Sequence, residues 1–414
     1  MEAPSSLRPH KYLVLAMLFI AYVFNFLDRQ LLGIIAVPIK SELALSDSQL
    51  GLMGGMAFAL FYATLAVPAA WLADRFGRVR VIGWSLSLWS LATALCGMAQ
   101  GFWSLLLARM GVGVGEAGGV APSYAVISQY FAPDQRARAL GFYNLAIPVG
   151  SGLAMLLGGA LAATWGWRAA FLCLGLAGLL FAPLFFFALR GAEQPCASAA
   201  LPALRPSLGQ LAAKPSFWAL SLGAGFGSLI GYGVMFWLPS LFVRRYGLGV
   251  AETGQMIALL FFLSGILGIS AGGWLADHLG KSARAIYAWL PAVAYALCVP
   301  LYMIAFAQST AQAALLWLIV PQALSLIWMA PVGVAVQHLV GAEARSMASA
   351  FFLLINNLVG LGLGSWVLGW LSDHYGGTQA SGLAQALHMG LAAYGLAALF
   401  MLAAARTLAR DWQS

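Results

Sequence analysis

Twelve long apolar stretches, separated by short polar loops, run along nearly the whole chain. Each has the ~20 residues that an α-helix needs to cross the hydrocarbon core of a bilayer. The pattern therefore predicts an all-α membrane protein with twelve transmembrane helices. The predicted spans are residues 12–38, 49–73, 79–100, 102–128, 138–163, 168–189, 216–243, 251–276, 283–306, 312–338, 346–371 and 384–408.

A polar, proline-rich stretch over 190–214 divides the predicted spans into two sets of six. The loop after the second span reads LADRFGR over 72–78, and the loop after the eighth reads LADHLGK over 275–281. Such an internal repeat is typical of transporters built from two related helix bundles. We predict a six-helix bundle over 1–189, a cytoplasmic connector over 190–214 and a second six-helix bundle over 215–414.

Composition excludes a soluble globular protein. Hydrophobic residues make up 62% of the 414 residues and charged residues 8%, against about 25% charged residues in soluble domains. The net charge of +8 does not indicate nucleic-acid binding, because the basic residues form no patch. Most of them lie in loops at one end of the spans, which by the positive-inside rule places both termini in the cytoplasm. The four Cys residues have no paired spacing, so no disulfide framework is predicted.

Four charged residues lie well inside predicted spans, away from their ends: Asp28 and Arg29 in the first, and Arg109 and Glu116 in the fourth. A charge at the bilayer centre costs roughly 2.5–3.5 kcal/mol on insertion scales, so such residues are functional candidates. Asp28 and Arg109 fall at similar depth, which predicts that they pair, and Glu116 lies about two turns deeper, near the midplane. We expect Glu116 to bind and release a coupling proton, with either arginine available for an anionic headgroup. A static ion-pair network is the alternative.

Residues 113–118, with the sequence GVGEAG, match the dinucleotide-binding pattern Gly-x-Gly-x-x-Gly. That pattern carries meaning only between a strand and a helix. Since these residues lie within a predicted span, we interpret the glycines as positions where helices approach closely.

A substrate cavity is predicted from polar residues of the first six spans and aromatic and amide residues of the last six. Charged groups on one side and aromatic groups on the other would suit an amphiphile, whose headgroup and chain need different surfaces. Ordinary packing or lipid contact is the alternative for each residue. The cavity candidates are Asn25, Tyr124, Asn144, Tyr232, Phe236, Trp237, Trp328, Met329, Asn356 and Asn357.

The loop at 72–78 resembles the signature Gly-x-Leu-Ala-Asp-Arg-x-Gly-Arg-Arg/Lys of the major facilitator superfamily, with Ala70 in place of the first Gly and Val79 within the basic pair. The resemblance implies a fold of two six-helix bundles. It also implies that the loop acts in gating, with its Asp facing a helix N-terminus and its basic residues paired with an acid. The predicted gating residues are Asp74, Arg75, Gly77, Arg78, Asp134, Arg138, Asp277, Gly280 and Lys281.

Within that superfamily, the chain is similar to the Spinster branch of lysolipid and sphingolipid-phosphate transporters. The similarity is carried by NFLDR over 25–29, RMGVGVGEA over 109–117 and the pair Ala121-Pro122. It implies proton-coupled, alternating-access transport of a lysophospholipid- or sphingolipid-phosphate-like amphiphile. The alternative is a proton-coupled transporter of a small organic anion such as a sugar acid, since related symporters also carry charges in these helices.

Other classes of function fit the chain less well. The five His residues form no nucleophile–base set or metal cluster, so we expect neither an enzyme nor a bound metal. A channel or receptor does not require the two-half repeat. We expect no cofactor beyond the coupling proton, no nucleic-acid partner, and a monomer in the plasma membrane, which is the inner membrane in a bacterium. Its expected partners are the lipid bilayer and an amphiphilic or anionic substrate.

Overall fold

The computed structural model describes residues 9–192, 211–280, 283–341, 345–376 and 380–413, and within these ranges it contains helices and no strand. The all-α class predicted from the apolar pattern is confirmed. The helices in chain order are α1 (Lys11–Ile34), α2 (Ala36–Leu43), α3 (Asp47–Gly54), α4 (Met56–Phe76), α5 (Arg78–Cys96), α6 (Phe102–Glu116), α7 (Val120–Tyr130), α8 (Pro133–Asn144), α9 (Ala146–Trp165), α10 (Trp167–Ala188), α11 (Pro215–Tyr246), α12 (Val250–Leu279), α13 (Ile286–Ala307), α14 (Ala311–Leu324), α15 (Met329–Gln337), α16 (Arg345–Asn356), a short π-helix (Asn357–Gly362), α17 (Leu363–His374), α18 (Ala380–Gly390) and α19 (Ala392–Asp411).

Within the described residues, 11 helical segments are long and apolar enough to cross a membrane. They match eleven of the predicted spans to within a few residues at each end. The fourth predicted span differs because residues 117–119 form turns that separate α6 from α7. The N–H of Gly119 donates to the carbonyl of Glu116 at 3.0 Å, a bond over three residues that tightens the helix at its end. The fourth span is therefore present as two shorter helices joined at Glu116.

The described chain forms two compact units. The first contains residues 9–45, 57–192 and 248–258, and the second contains 46–56, 211–247 and 259–413. In the first unit, α1 packs along α9, and α5 packs against both α6 and α10. In the second, α11 and α13 pack against α19, and α3 packs against α17. The predicted boundaries around 190–214 remain a prediction, because residues 193–210 lie outside the described residues.

Glycines allow the helices of the first unit to approach one another closely. A Cβ added at Gly113 would lie 2.7 Å from the carbonyl oxygen of Phe58, and one at Gly115 would lie 2.6 Å from the backbone nitrogen of Trp89. Side chains cannot enter at such distances, so α6 rests directly on α4 and α5. The packing interpretation of the GVGEAG sequence at 113–118 is confirmed.

The second predicted span is divided between the two units. Its first part, α3, begins at an N-cap in which the Ser46 hydroxyl accepts from the Gln49 N–H, and Gln49 returns a bond to the Ser46 N–H. α3 ends at Gly54, Gly55 is its C-cap, and α4 starts at Met56. Residues 46–56 belong to the second unit, whereas α4 belongs to the first from Ala57 onward. One continuous stretch of chain therefore connects both units through a break in the helix.

Candidate functional site

A buried ion pair joins α1 to α6. The Nη2 atom of Arg29 lies 2.6 Å from Oε2 of Glu116, and the two side chains are 6% and 0% exposed. The same Nη2 donates to Oδ1 of Asn25, one turn earlier on α1, at 3.2 Å. Asn25 therefore belongs to this charge cluster, where it orients the guanidinium of Arg29. A charge-assisted bond at this distance is among the stronger hydrogen bonds in proteins.

Glu116 occupies the last position of α6, next to the break that separates it from α7. Interrupted helices at mid-depth are common where transporters bind substrates and coupling ions. The close approach of α6 to α4 and α5 places this helix end in the interior of the first unit. The break therefore puts an ionisable group at a helix end that is free of lipid contact.

Aromatic rings surround the guanidinium of Arg29. Its Cζ lies 4.9 Å from the ring centre of Phe26, 4.8 Å from that of Phe58 and 5.0 Å from that of Tyr62. A guanidinium over an aromatic face within about 6 Å is stabilised by the ring quadrupole, by about 2 kcal/mol when desolvated. The cation thus gains stabilisation from ring faces as well as from the Glu116 carboxylate.

The predicted side-chain pair of Asp28 with Arg109 is wrong. Nη1 of Arg109 donates instead to the backbone carbonyl of Asp28 at 3.2 Å. Both carboxylate oxygens of Asp28, and Nε and Nη2 of Arg109, have no hydrogen-bond partner among the described residues. Depth along two helices predicted the neighbourhood correctly, but the rotation of each helix about its own axis decides which atoms meet.

Several buried polar atoms of this cluster lack a protein partner among the described residues: Nδ2 of Asn25, Oε1 of Glu116, Oγ1 of Thr93 and the Asp28 and Arg109 atoms above. Buried polar groups in native proteins are almost always satisfied, so each unsatisfied group calls for an explanation. Groups that exchange protons or bind polar ligands are one recognised explanation. Asp28, Arg29, Arg109 and Glu116 thus form one cluster whose hydrogen-bonding capacity is only partly used by the protein.

The predicted cavity residues of the first unit form a second polar contact. The hydroxyl of Tyr124 on α7 donates to Oδ1 of Asn144, at the end of α8, at 3.0 Å. The ring of Tyr124 also meets that of Tyr143 edge-on, with ring centres 5.6 Å apart. Tyr143 in turn stacks on Tyr22 of α1 at 4.4 Å. Sequence reasoning missed Tyr22 and Tyr143, because an isolated tyrosine in an apolar span gives no distinguishing signal.

In the second unit, the predicted cavity residues lie in different environments. Asn356 is buried, and its Oδ1 accepts from the Ser228 hydroxyl at 2.9 Å. Trp237 is fully buried and donates its indole N–H to the carbonyl of Ser365 at 2.8 Å. Phe236 is buried beside it, and Trp328 is buried against Phe352, with ring centres 6.1 Å apart. The half-buried members of the set are Tyr232, Met329 and Asn357, the last at the start of the π-helix.

The predicted gating loop contains a local ion pair. Arg78 donates from Nη2 and Nε to Oδ1 of Asp74 at 2.8 and 3.0 Å. Arg75 lies over the rings of Trp71 and Phe76. Gly77 has a φ of 104°, in the region that favours glycine, which explains that position of the motif.

The structure gives little information on the remaining gating candidates. Arg138 and Asp277 are exposed. A Cβ at Gly280 would lie 2.4 Å from the carbonyl of Ala276, so the turn after α12 leaves no room for a side chain. The side chain of Asp134 and the whole of Lys281 lie outside the described residues. The gating roles of the set stay a prediction.

Sequence reasoning missed a polar cluster in the second unit that holds α3, which we call the α3 dock. Asp47 is fully buried and accepts from both terminal nitrogens of Arg244 at 2.7 Å, and from the Ser372 hydroxyl at 2.6 Å. Asp373 accepts from the backbone N–H groups of Asp47 and Ser48 at 2.9 and 2.7 Å, and from the Ser48 hydroxyl. The α3 dock consists of these five residues. One sequence feature that bears on the dock is the pair of basic residues in the last turn of α11, Arg244 and Arg245, which directly follow the span predicted over 216–243.

A helical membrane protein with a buried charge cluster inside its spans and a charged loop repeated half a chain later belongs to the two-bundle class of transporters. The chain is a member of the Major Facilitator Superfamily, whose family model matches residues 18–365. Within that family it is Spinster-like, as the following relatives and solved structures show.

The chain is similar to three relatives over 65% to 87% of its length. It is 34% identical to an MFS-type efflux pump of Mycolicibacterium smegmatis, over 84% of this chain and 81% of that protein. It is 28% identical to human protein spinster homolog 1, over 87% of this chain and 73% of that protein. It is also 30% identical to a probable L-galactonate transporter of Escherichia coli, over 65% of this chain and 62% of that protein, which is less than two thirds of its length.

Solved structures give the same family. A bacterial homolog of the human lysosomal transporter Spinster, in an inward-facing and occupied conformation, has a TM-score of 0.87 and 30% identity, with 98% of this chain and 99% of that chain covered. Its inward-facing, unoccupied conformation has a TM-score of 0.88. A peptide transporter in complex with sulfate, 15% identical, has a TM-score of 0.74 and shares the fold.

Proposed function

We propose that this protein is a proton-coupled secondary transporter that works by alternating access and moves a lysophospholipid- or sphingolipid-phosphate-like amphiphile. The observation that supports this most directly is the buried cluster around the Arg29–Glu116 ion pair. A buried pair is weak as a stabilising device, because the desolvation of both charges offsets much of their attraction. A role in proton coupling would explain why the protein contains this ion pair despite its desolvation cost.

Proton coupling at Glu116 follows from its two possible environments. Beside Arg29, the carboxylate form is favoured; away from it, burial favours the protonated form. A conformational change that separates the two groups therefore takes up a proton, and their return releases it. Oε1 of Glu116 lacks a partner among the described residues, which leaves one carboxyl oxygen available for the proton.

Arg109 is the better candidate for an anionic headgroup. Its Nε and Nη2 have no partner among the described residues, whereas Arg29 is held by Glu116, Asn25 and three rings. Guanidinium nitrogens on one edge match two oxygens of a phosphate or carboxylate. We therefore assign headgroup binding to Arg109 and proton coupling to Glu116.

Alternating access requires a contact that is made in one state and released in the other. The α3 dock fits that requirement, because it holds α3 in the second unit while the same stretch of chain continues into the first. The dock contacts are formed in this structure. We propose that they are released when the transporter changes to its other access state.

The second candidate function is proton-coupled transport of a small organic anion such as a sugar acid. It is supported by the 30% identity to a probable L-galactonate transporter and to a hexuronate transporter of Bacillus subtilis. The plasma membrane, or bacterial inner membrane, is the proposed location for either function. A monomer without a cofactor other than the proton is the proposed working form.

Uptake by the purified protein in proteoliposomes distinguishes the two candidates. Labelled lysophosphatidic acid and labelled galactonate are offered separately, with the same imposed pH gradient. Saturable uptake of the lysolipid that unlabelled lysolipid competes for, and galactonate does not, supports the amphiphile assignment. Saturable galactonate uptake without lysolipid uptake would replace it with the organic-anion assignment. The Arg109→Gln variant is expected to raise the KM for whichever anion is transported.

A further inference from the structure

One phenylalanine contacts both buried arginines of the first unit. The ring centre of Phe58 lies 4.8 Å from Cζ of Arg29 and 6.0 Å from Cζ of Arg109. Phe58 is fully buried and lies in the first turn of α4. Its ring stacks on that of Tyr62, one turn later, with ring centres 5.5 Å apart and planes 17° apart. Two guanidinium groups therefore share one aromatic platform.

The backbone around Phe58 leaves this ring little freedom to move. The close approach of α6 at Gly113, 2.7 Å from the Phe58 carbonyl oxygen for an added Cβ, holds the start of α4 against α6. On the other side, α4 starts directly after Gly55, the C-cap of α3, whose first two residues belong to the α3 dock. The backbone that carries the ring is therefore held in place by its contact with α6.

Two like-charged guanidiniums near one another repel, so each needs a compensating interaction that holds it in place. Arg29 has the Glu116 carboxylate, and Arg109 has the Asp28 carbonyl. The ring face attracts both cations and, being apolar, provides no alternative acceptor. Removing the ring leaves Asn25, Phe26 and Tyr62 beside Arg29, but it takes away the ring that lies next to both guanidiniums, so rotamers of Arg29 with a longer bond to Glu116 become more accessible.

We propose that Phe58 is a positioning residue for proton coupling: its ring holds the guanidinium of Arg29 against Glu116. The inference rests on the proposed proton-coupling role of Glu116, and it assigns Phe58 no contact with substrate. The charged and titratable groups around Glu116 are Arg29 and Asp28 from α1, Tyr62 from α4 and Arg109 from α6 itself. Of these, Arg29 is the group whose position the ring controls most directly.

The test compares Phe58→Leu, which removes the ring, with Phe58→Tyr, which keeps it. Phe185→Leu is the matched control, because Phe185 is also fully buried in the first unit but packs on Phe181 and Phe186. An infrared titration follows the C=O stretch of the protonated Glu116 carboxyl, identified by its disappearance in Glu116→Gln. This readout does not depend on transport. Thermal unfolding of each variant reports the loss of packing separately.

With the ring removed, the ionised form of Glu116 loses stabilisation from Arg29, so the carboxyl is protonated at higher pH. We expect the titration midpoint in Phe58→Leu to move upward by about one pH unit, a tenfold change in proton affinity. Phe58→Tyr and Phe185→Leu are expected to keep the wild-type midpoint, although Phe185→Leu unfolds at a lower temperature. A wild-type midpoint in Phe58→Leu overturns the positioning role alone. The absence of any titrating Glu116 band in wild type overturns the proton-coupling role, and the positioning role with it.

Discussion

Replacing Asp47 by Asn tests whether the α3 dock is one side of a conformational equilibrium. Asn has nearly the same shape as Asp and still offers an oxygen to the Ser372 hydroxyl, but it carries no charge. Arg244, whose side chain is 8% exposed, then keeps its charge without the carboxylate that meets both its terminal nitrogens. The Asp373 carboxylate does not replace it freely, because it already accepts from the N–H groups at the start of α3.

The magnitude follows from the burial of the pair. Removing one partner of a buried ion pair costs about 3–5 kcal/mol, and we take about 3 kcal/mol because Asn retains a hydrogen-bond acceptor. In a state where α3 has left the dock, water solvates Arg244 and the substitution costs little. The whole penalty therefore falls on the docked state, and the undocked fraction rises by about 150-fold.

Cysteine labelling measures that fraction. Ser365 is buried, and its hydroxyl donates to the Gly51 carbonyl of α3 at 2.8 Å, so a cysteine there reacts with maleimide only when α3 departs. The assay uses Ser365→Cys in nanodiscs, with the exposed Cys173 and the connector residue Cys196 replaced by Ser. Asp47→Asn should accelerate labelling by about two orders of magnitude. Glu42→Gln, which removes an exposed ion pair with Arg168, serves as the control and should leave the rate nearly unchanged. Equal labelling rates in Asp47→Asn and its parent would refute the dock as a two-state contact.

Three further predictions concern single positions. Gly77→Ala forces a Cβ into a φ of 104° and should lower the free energy of unfolding by about 1 kcal/mol, seen as a lower Tm in detergent. Gly115→Ala places a Cβ 2.6 Å from a backbone nitrogen of α5 and should destabilise by about 1–3 kcal/mol; an unchanged Tm would contradict the close approach. Hydrogen bonds from Trp167 and Arg168 lower the pKa of Glu42 from 4.5. The stability that Glu42 contributes is therefore present above its unfolded pKa and lost as pH falls through the lower folded value. The Tm difference between wild type and Glu42→Gln should accordingly disappear on acidification.

Sequence patterns predicted the helices well because burial in lipid demands long apolar runs with few exceptions. The break after Glu116 was not predicted, although Gly118 and Gly119 follow it, because glycines are also frequent in continuous membrane helices. The rotation of each helix about its own axis was the second feature that the sequence did not predict. It decides that Arg29, rather than Arg109, reaches a carboxylate, and it depends on close approaches such as that at Gly113.

The α3 dock was beyond sequence reasoning for a different reason. Asp47 and Arg244 lie in different halves of the chain, and each has an ordinary local explanation. An Asp in the first turn of a helix and an Arg in the last turn both interact favourably with the helix dipole and so stabilise the helix. Their pairing becomes visible only when residues 46–56 are found in the second unit.

The measurement that tests the central claim most directly compares two modes of transport in one variant. Proteoliposomes containing wild type or Glu116→Gln are assayed for gradient-driven uptake against a concentration difference, and for exchange of labelled for unlabelled substrate without a pH gradient. If Glu116 carries the coupling proton, the variant keeps exchange and loses gradient-driven accumulation. Accumulation in Glu116→Gln at the wild-type level, with the same dependence on the pH gradient, would contradict the account.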